Sequence, residues 1–358
     1  MKIWFDILTP KQIMFFKPAI DILKKQNNEI LCTSRNYREA NELSKIKEMD
    51  LLIVGNHGGA NLYNKLYEST NRILELSKII QKYSPELAIS FSSPEASRIS
   101  FGLGIDHLGF NDSPHAEAVA RLSIPLLTKL FSPSMIPLSS WTKYGISSKQ
   151  IIQYNGLDPI AWLRRYKGNN NNSIRDIFNK LKIDQSKKSI LIRLEESKAS
   201  YIANKKLIVR PITLVDTIVQ HFNEKCNIII LCRYSDQIKE ISKRFKNKAI
   251  VLTDVVDGLN LLQNIDIFIG AGGTMTAESA LLGIPTISIA PVHFYIDDYL
   301  KKIGLIKRAS TVSQLISIVN IFLNNEENCK AVEEKARKIL NEMEDPVEKL
   351  VSYVASNE

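Results

Sequence analysis

Short apolar runs alternate with longer amphipathic stretches along the whole chain, and this alternation constrains its fold more than any other feature. Strands are expected at Lys2–Leu8, Glu29–Thr33, Leu51–Val54, Leu87–Phe91, His107–Phe110 and Ile151–Tyr154. Helical periodicity fills the gaps, as in Ile13–Lys25 with Phe16, Ile20 and Leu23, and in Asn61–Tyr83 with Leu62, Leu66, Ile73 and Leu76. Strands separated by helices pair in parallel, because a parallel neighbour needs a crossover of about a dozen residues or more.

The polar run Lys167–Ser173, KGNNNNS, is too poor in apolar groups to pack and reads as a linker. Beyond it the alternation resumes, with strands at Ser189–Arg193, Asn227–Cys232, Ala249–Leu252, Ile267–Ile269 and Thr286–Ala290. Helices are expected near Ile212–Phe222, Gln237–Phe245, Leu259–Asn264 and Thr276–Leu282. A chain of 358 residues has room for about two domains of roughly 150 residues. The expected organisation is a Rossmann-like domain over 1–166, a linker over 167–173, and a second Rossmann-like domain over 174–345. A last helix over 346–358, opened by Pro346, is expected to pack back on the first domain. The fold class is therefore α/β, two doubly wound domains facing each other across a cleft.

Hydrophobic residues at 44% and charged residues at 24% are ordinary globular values, which disfavours disorder, collagen and coiled coil. Cys32, Cys226, Cys232 and Cys329 form no C-x-x-C pair and, with five histidines, give no zinc spacing. A reduced compartment and no metal are expected. The opening MKIWFDILTP enters a strand without signal-peptide zones, and no run reaches the roughly 18 apolar residues of a membrane span, so a cytoplasmic protein is expected. The 47 lysines and arginines against 38 acidic residues give a net charge of +9, which permits an anionic partner. The basic residues are scattered and no RRM, KH, zinc-finger or basic-zipper pattern occurs, so no nucleic acid is expected.

In doubly wound sheets ligands lie outside the carboxyl ends of the strands. The segment Asp266–Pro291, DIFIGAGGTMTAESALLGIPTISIAP, runs from a buried strand through Gly270, Ala271, Gly272 and Gly273 into a helix starting near Thr274–Thr276. Glycines let backbone approach a ligand closely, and the amides at a helix start suit a phosphate. Glu278, one turn in, is placed to accept hydrogen bonds from two ribose hydroxyls. The residues alone also fit a tight strand-to-helix turn with an exposed glutamate.

GAGGTMTAESALLGIPTIS resembles the donor-nucleotide motif of the GT-B superfamily, which includes the N-acetylglucosaminyltransferase acting on lipid I and UDP-N-acetylglucosamine 2-epimerase. More closely, KIWFDILTP, FFKP, HGG, NDSPHAEA, WTKYG, QYNGLDP, SKASY and GAGGTMTAESALLG resemble, in order, an uncharacterised and largely archaeal family of predicted glycosyltransferases. The likeness covers nearly the whole chain. It implies a GT-B fold, with Gly272, Gly273 and Thr274 at the diphosphate and Glu278 at the ribose. It also implies that Arg193, ending a strand, is a phosphate-binding group, the alternative being a surface ion pair with Glu195 or Glu196. Leu252–Gly258, LTDVVDG, corresponds to the backbone that holds the base.

The first domain is then expected to hold the acceptor. His57, beside Asn56, Gly58 and Gly59, follows a strand and titrates near neutrality, which suits a general base or, equally, a packed loop histidine. A second cluster, Asn111, Asp112, Ser113, Pro114 and His115, follows the strand His107–Phe110. Asp112 and His115 are catalytic candidates there, the alternative being a helix cap at Asp112 or Ser113 ahead of Pro114. Thr9, Lys11 and Gln12 in the first turn are acceptor-side candidates, Gln12 standing where related enzymes often carry a histidine. Ser90, Ser92 and Ser93 replace glycines common after this strand, and a helix cap is their expected role. The apolar stretch Leu122–Trp141 reads as two short buried strands or as a lipid-facing patch.

The function these readings imply is metal-independent, inverting transfer of a hexosyl or N-acetylhexosaminyl group from a nucleoside-diphosphate sugar, UDP-linked. No cofactor is expected beyond that substrate. The acceptor would be lipid-linked or a surface glycan, with a polyprenyl phosphate and peripheral contact at the inner membrane face both compatible with the charge. A UDP-N-acetylglucosamine 2-epimerase-like enzyme and a non-catalytic nucleotide-sugar subunit or sensor stay open. The epimerase's His-Arg-Arg-Glu stretch is replaced here by Arg193, Leu194, Glu195 and Glu196, which counts against the former.

Overall fold

A computed structural model of the chain describes residues 1–166, 178, 183–194, 211–232, 235–253, 258–290 and 293–356. The run Lys167–Ser173, Glu195 and Glu196, the SKASY segment and residues 254–257 of LTDVVDG lie outside the described residues. The chain divides into two compact units, Met1–Arg164 with Met343–Glu358, and Arg165–Glu342.

The first unit is built on a seven-stranded sheet of order β3-β2-β1-β4-β5-β6-β7. Its strands are β1 Lys2–Asp6, β2 Glu29–Asn36, β3 Leu52–Asn56, β4 Leu87–Ser90, β5 Asp106–Phe110, β6 Lys129–Pro133 and β7 Ile151–Tyr154. The second unit holds a six-stranded sheet of order β10-β9-β8-β11-β12-β13. These strands are β8 Lys188–Arg193, β9 Cys226–Leu231, β10 Ile250–Leu252, β11 Ile267–Gly270, β12 Thr286–Ser288 and β13 Ile306–Arg308. Every strand pair is parallel. Both sheets are thus doubly wound, and strand order reverses between β1 and β4 and between β8 and β11, the points where such sheets bind ligands.

Parallel strands are covered on both faces, which is why Ile3, Trp4 and Phe5 of β1 and Ile190, Leu191 and Ile192 of β8 are all fully buried. The helix Pro10–Lys25 starts on a proline, whose fixed φ suits the first helical position, and turns Phe15, Phe16, Ala19, Ile20 and Leu23 inward. Phe15 and Phe16 meet Phe5, Phe91 and Phe110 edge to face, with ring centroids 4.9–6.2 Å apart. Burying each such ring contributes roughly 1.5–3 kcal/mol. A surface pair such as Lys17–Asp21 on the same helix contributes about 0.3–0.5 kcal/mol. The rings, not the ion pair, hold this helix to the sheet.

The chain re-enters the first unit at Met343. The Glu344 amide donates to the Asn155 carbonyl at 2.8 Å, and the Glu344 carboxylate accepts from the Asn155 amide at 2.5 Å. Gly156 is required there, since a β-carbon would collide with the Glu344 carbonyl. Asp345 caps the helix Pro346–Ala355, which packs on Pro10–Lys25.

Two strands depart from the expectation. Leu122–Trp141 contributes one strand, β6, and not a strand pair. Pro125, Pro133 and Pro137 interrupt it, and the flanks form a 3-10 turn at Ile124–Leu126 and a short helix at Ser139–Thr142. β13 was not expected, because Ile306–Arg308 offers only one apolar residue. No helix among the described residues is long and apolar enough to cross a membrane.

Candidate functional site

At the carboxyl end of the first sheet, one ammonium joins three elements. Lys11, in the first turn of Pro10–Lys25, places Nζ 2.6 Å from Asp112 Oδ2 and 2.7 Å from Asp158 Oδ2. The Phe91 ring lies 4.4 Å from the same nitrogen, so the charge is also covered by a π face. Asp112 follows β5, and its other oxygen accepts from Ser113 Oγ at 2.8 Å. Asp158 lies in the turn between β7 and the helix Ile160–Leu163 and accepts from the buried Tyr154 hydroxyl. The two carboxylates thus meet on the same ammonium.

Burial would pull the Lys11 ammonium down, but Asp112 and Asp158 carry it above its ordinary value. Burial would raise Asp112, but Lys11 and the Ser113 hydroxyl hold it below the carboxylate range. Asp158 goes the other way: burial, with the Asp112 charge added, pushes it up to about 6 against Lys11 and Tyr154. A site with one permanent cation and two unequal carboxylates can hold or release a proton in the mildly acidic range.

A second buried cluster braces the same sheet edge. Asp6, at the end of β1, takes a bidentate grip from Arg72 at 2.5 and 3.1 Å and hydroxyl hydrogen bonds from Thr33 at 2.7 Å and Ser93 at 2.6 Å. Arg72 is only 1% exposed and also donates to the Val54 carbonyl at 2.9 Å. Glu95, 3.9 Å from Arg72, accepts from Ser69 at 2.7 Å. Ser93 caps the helix Pro94–Leu103, and Ser92 adopts φ +51°, its hydroxyl donating to the Phe110 carbonyl at 2.8 Å. His107 pairs with Ser90 at 2.8 Å inside the sheet, and burial pulls it down to about 4.

The other expected acceptor-side residues are spread along this edge. His57 is exposed, stacks on Tyr37 at 5.0 Å, and accepts the Gly59 amide on Nδ1 at 3.2 Å. Burial and the Arg35 charge hold it below its ordinary value, and the neutral ring in this tautomer presents an Nε2 proton. Asn56 is exposed and bonds Asn36 and Glu68, and Gly58 fits because a β-carbon there would lie 2.6 Å from the backbone of the helix Leu62–Tyr83. Gln12 turns its side-chain oxygen back onto the Leu8 amide at 2.6 Å. Thr9 is the N-cap of Pro10–Lys25. Asn111 is buried and accepts the Ser113 amide at 2.8 Å. The cap reading of Asp112 and Ser113 does not hold, because the next helix begins only at Glu117, with Ala116 as N-cap. His115 is half-buried beside them.

In the second unit, Arg193 and Gly270 are register partners across the β8/β11 switch point. Gly272 and Gly273 adopt φ +87° and +85°, conformations that L side chains rarely take. A β-carbon on Gly272 would also lie 2.9 Å from the Phe294 ring. The helix Thr274–Leu281 starts on Gly273 with no side-chain cap, so its first-turn amides are offered outward. Thr274 and Glu278 are half-buried. Arg193 Nη1 donates to the Cys232 carbonyl at 2.9 Å, so part of the guanidinium braces β9. Among the described residues no group of three or more His, Cys, Asp or Glu side chains is placed to hold a metal ion.

Asp158, Tyr154, Asp6 and Arg72 were not singled out from the sequence. The signal for Asp6 was a charge ending the otherwise apolar run KIWFD; for Arg72 it was a cation on the buried face shared with Leu76 and Ile80. Asp158 and Tyr154 lie in QYNGLDP, for which the family likeness implied no role.

A family model described as "Protein of unknown function (DUF354)" matches residues 1–357. The chain belongs to this family. It is 28% identical over 327 residues to an uncharacterized protein of Methanocaldococcus jannaschii, covering 89% of this chain and 91% of that one. Among solved structures it resembles the Neisseria meningitidis UDP-GlcNAc 2-epimerase bound to UDP-GlcNAc, with a TM-score of 0.77 at 16% identity over 100% of both chains. It also resembles Anabaena HepE in complex with UDP-glucose, with a TM-score of 0.68 at 14% identity over 100% of both. The fold of this family member is therefore the GT-B fold of two parallel-sheet, Rossmann-like domains.

Proposed function

We propose that this protein is a nucleotide-sugar enzyme that transfers a sugar, with inversion, from a UDP-linked donor to the hydroxyl of a lipid-linked or surface-glycan acceptor. The observation that carries the donor assignment is the uncapped helix start after Gly272 and Gly273, whose amides suit a diphosphate. Thr274 adds an amide and a hydroxyl there, and Glu278 accepts from the ribose. The fold shared with structures solved with UDP-GlcNAc and UDP-glucose supports a UDP-linked donor. On the first unit, Asp112, in the loop after β5 and partly exposed beside Lys11, takes the acceptor proton. As that oxygen bonds to the anomeric carbon, the bond from this carbon to the diphosphate breaks and its electron pair leaves with UDP. Amides of the helix start and the Arg193 charge stabilise that leaving charge.

A second reading, 2-epimerisation of the nucleotide sugar, is favoured by the epimerase structures with this fold and by the paired carboxylates Asp112 and Asp158. Incubation with UDP-GlcNAc or UDP-glucose, followed by proton NMR, separates the two. Transfer predicts UDP release that depends on an added acceptor such as a polyprenyl-phosphate-linked sugar. A new epimer or free UDP without acceptor would replace it with the second reading.

A further inference from the structure

Asp158 cannot meet a substrate, because it is only 2% exposed. Yet it shares Lys11 with Asp112, whose side chain is 20% exposed. We propose that Asp112 and Asp158 act as one unit, a carboxylate pair sharing a single proton around the Lys11 ammonium, in which Asp112 is the catalytic residue and Asp158 the positioning residue that sets its basicity. This rests on the reading of Asp112 as the base.

The titratable groups facing Asp158 are Lys11 from Pro10–Lys25, Asp112 from the loop after β5, and Tyr154 from β7. A carboxylate alone with Lys11 would form a closed one-to-one ion pair and be too weak a base near neutral pH. With two carboxylates on one ammonium, both ionise only above the second step of the pair, so a proton taken from an acceptor hydroxyl is retained between them. The proton enters on Asp112, and no other co-reactant is required. Tyr154 opposes protonation of the pair by donating to Asp158.

Two variants are expected to move this step in opposite directions. Asp158→Asn removes the second carboxylate. The acid limb of kcat/KM is expected to fall by about one to two pH units relative to the wild type, and turnover at pH 7 by about tenfold. Tyr154→Phe removes the donor and keeps the pair, so the limb is expected to rise. Carbon-13 NMR of labelled aspartate carboxyls reads the same step without turnover, Asp112 being assigned by its loss in Asp112→Asn. Wild type should show two coupled steps and Asp158→Asn a single low one. UDP affinity should stay unchanged in both variants, which separates this proposal from the donor assignment. A wild-type carboxyl titration without coupling overturns the proposal, as do folded variants whose steps stay in place or move together. Coupled carboxyls in a protein that turns over no UDP-sugar would leave the pair standing and overturn only the base assignment.

Discussion

Arg72→Met is expected to lower the unfolding free energy by about 3–5 kcal/mol at pH 7, because it leaves the Asp6 carboxylate buried without its cation. Both residues are buried, and the methionine fills most of the space without restoring a charge. The pH dependence follows from the sign of the Asp6 shift. Burial would raise this carboxyl, but Arg72, with Ser93 and Thr33, holds it below its ordinary value in the wild type. That contribution is present above the unfolded carboxylate range and is lost as pH falls through the folded value. In Arg72→Met the balance reverses and burial prevails, so the folded protein binds a proton more tightly than the unfolded chain. The variant then gains relative stability as pH falls. Urea unfolding at pH 7 and pH 5 should show the gap between wild type and variant narrowing at the lower pH. A loss under about 1 kcal/mol at pH 7 would mean that the grip is not a structural brace.

Asp112→Asn is expected to reduce turnover by about 10²–10⁴-fold, the usual contribution of a positioned general base, with KM for the sugar donor changing little. The amide keeps the volume and an acceptor for Ser113 but cannot take a proton. Lys11 retains Asp158, so the fold should survive. Steady-state kinetics and a melting curve on the same preparation separate the two effects. Undiminished turnover would remove Asp112 from the chemistry and place the base elsewhere.

Much of the architecture was legible because parallel strands bury both faces and so write themselves as apolar runs, as in Ile267–Ile269. β13 was not, because it is three residues long with a lysine and an arginine, and prolines reduced the two strands expected over Leu122–Trp141 to β6 alone. The glycines at 272 and 273 were legible for a similar reason. A chain that must take positive φ has few residues to choose from. The carboxylate pair was only half legible. Lys11 and Asp112 each follow a strand, but their contact spans 101 positions, and Asp158 joins them only once β7 is docked beside β6. His57 was legible as a loop histidine after a strand, whereas its stacking on Tyr37 was not.

The central claim is that the helix start after Gly273 binds a UDP-linked sugar, with Glu278 on the ribose. Calorimetric titration of UDP and UDP-GlcNAc into wild type and Glu278→Ala tests it most directly. The wild type should bind both, and Glu278→Ala should bind about 10–100-fold more weakly, the loss of roughly 1.4–2.8 kcal/mol that charge-assisted hydrogen bonds supply. Equal affinities in the two proteins, or no binding of either nucleotide by the wild type, would contradict it.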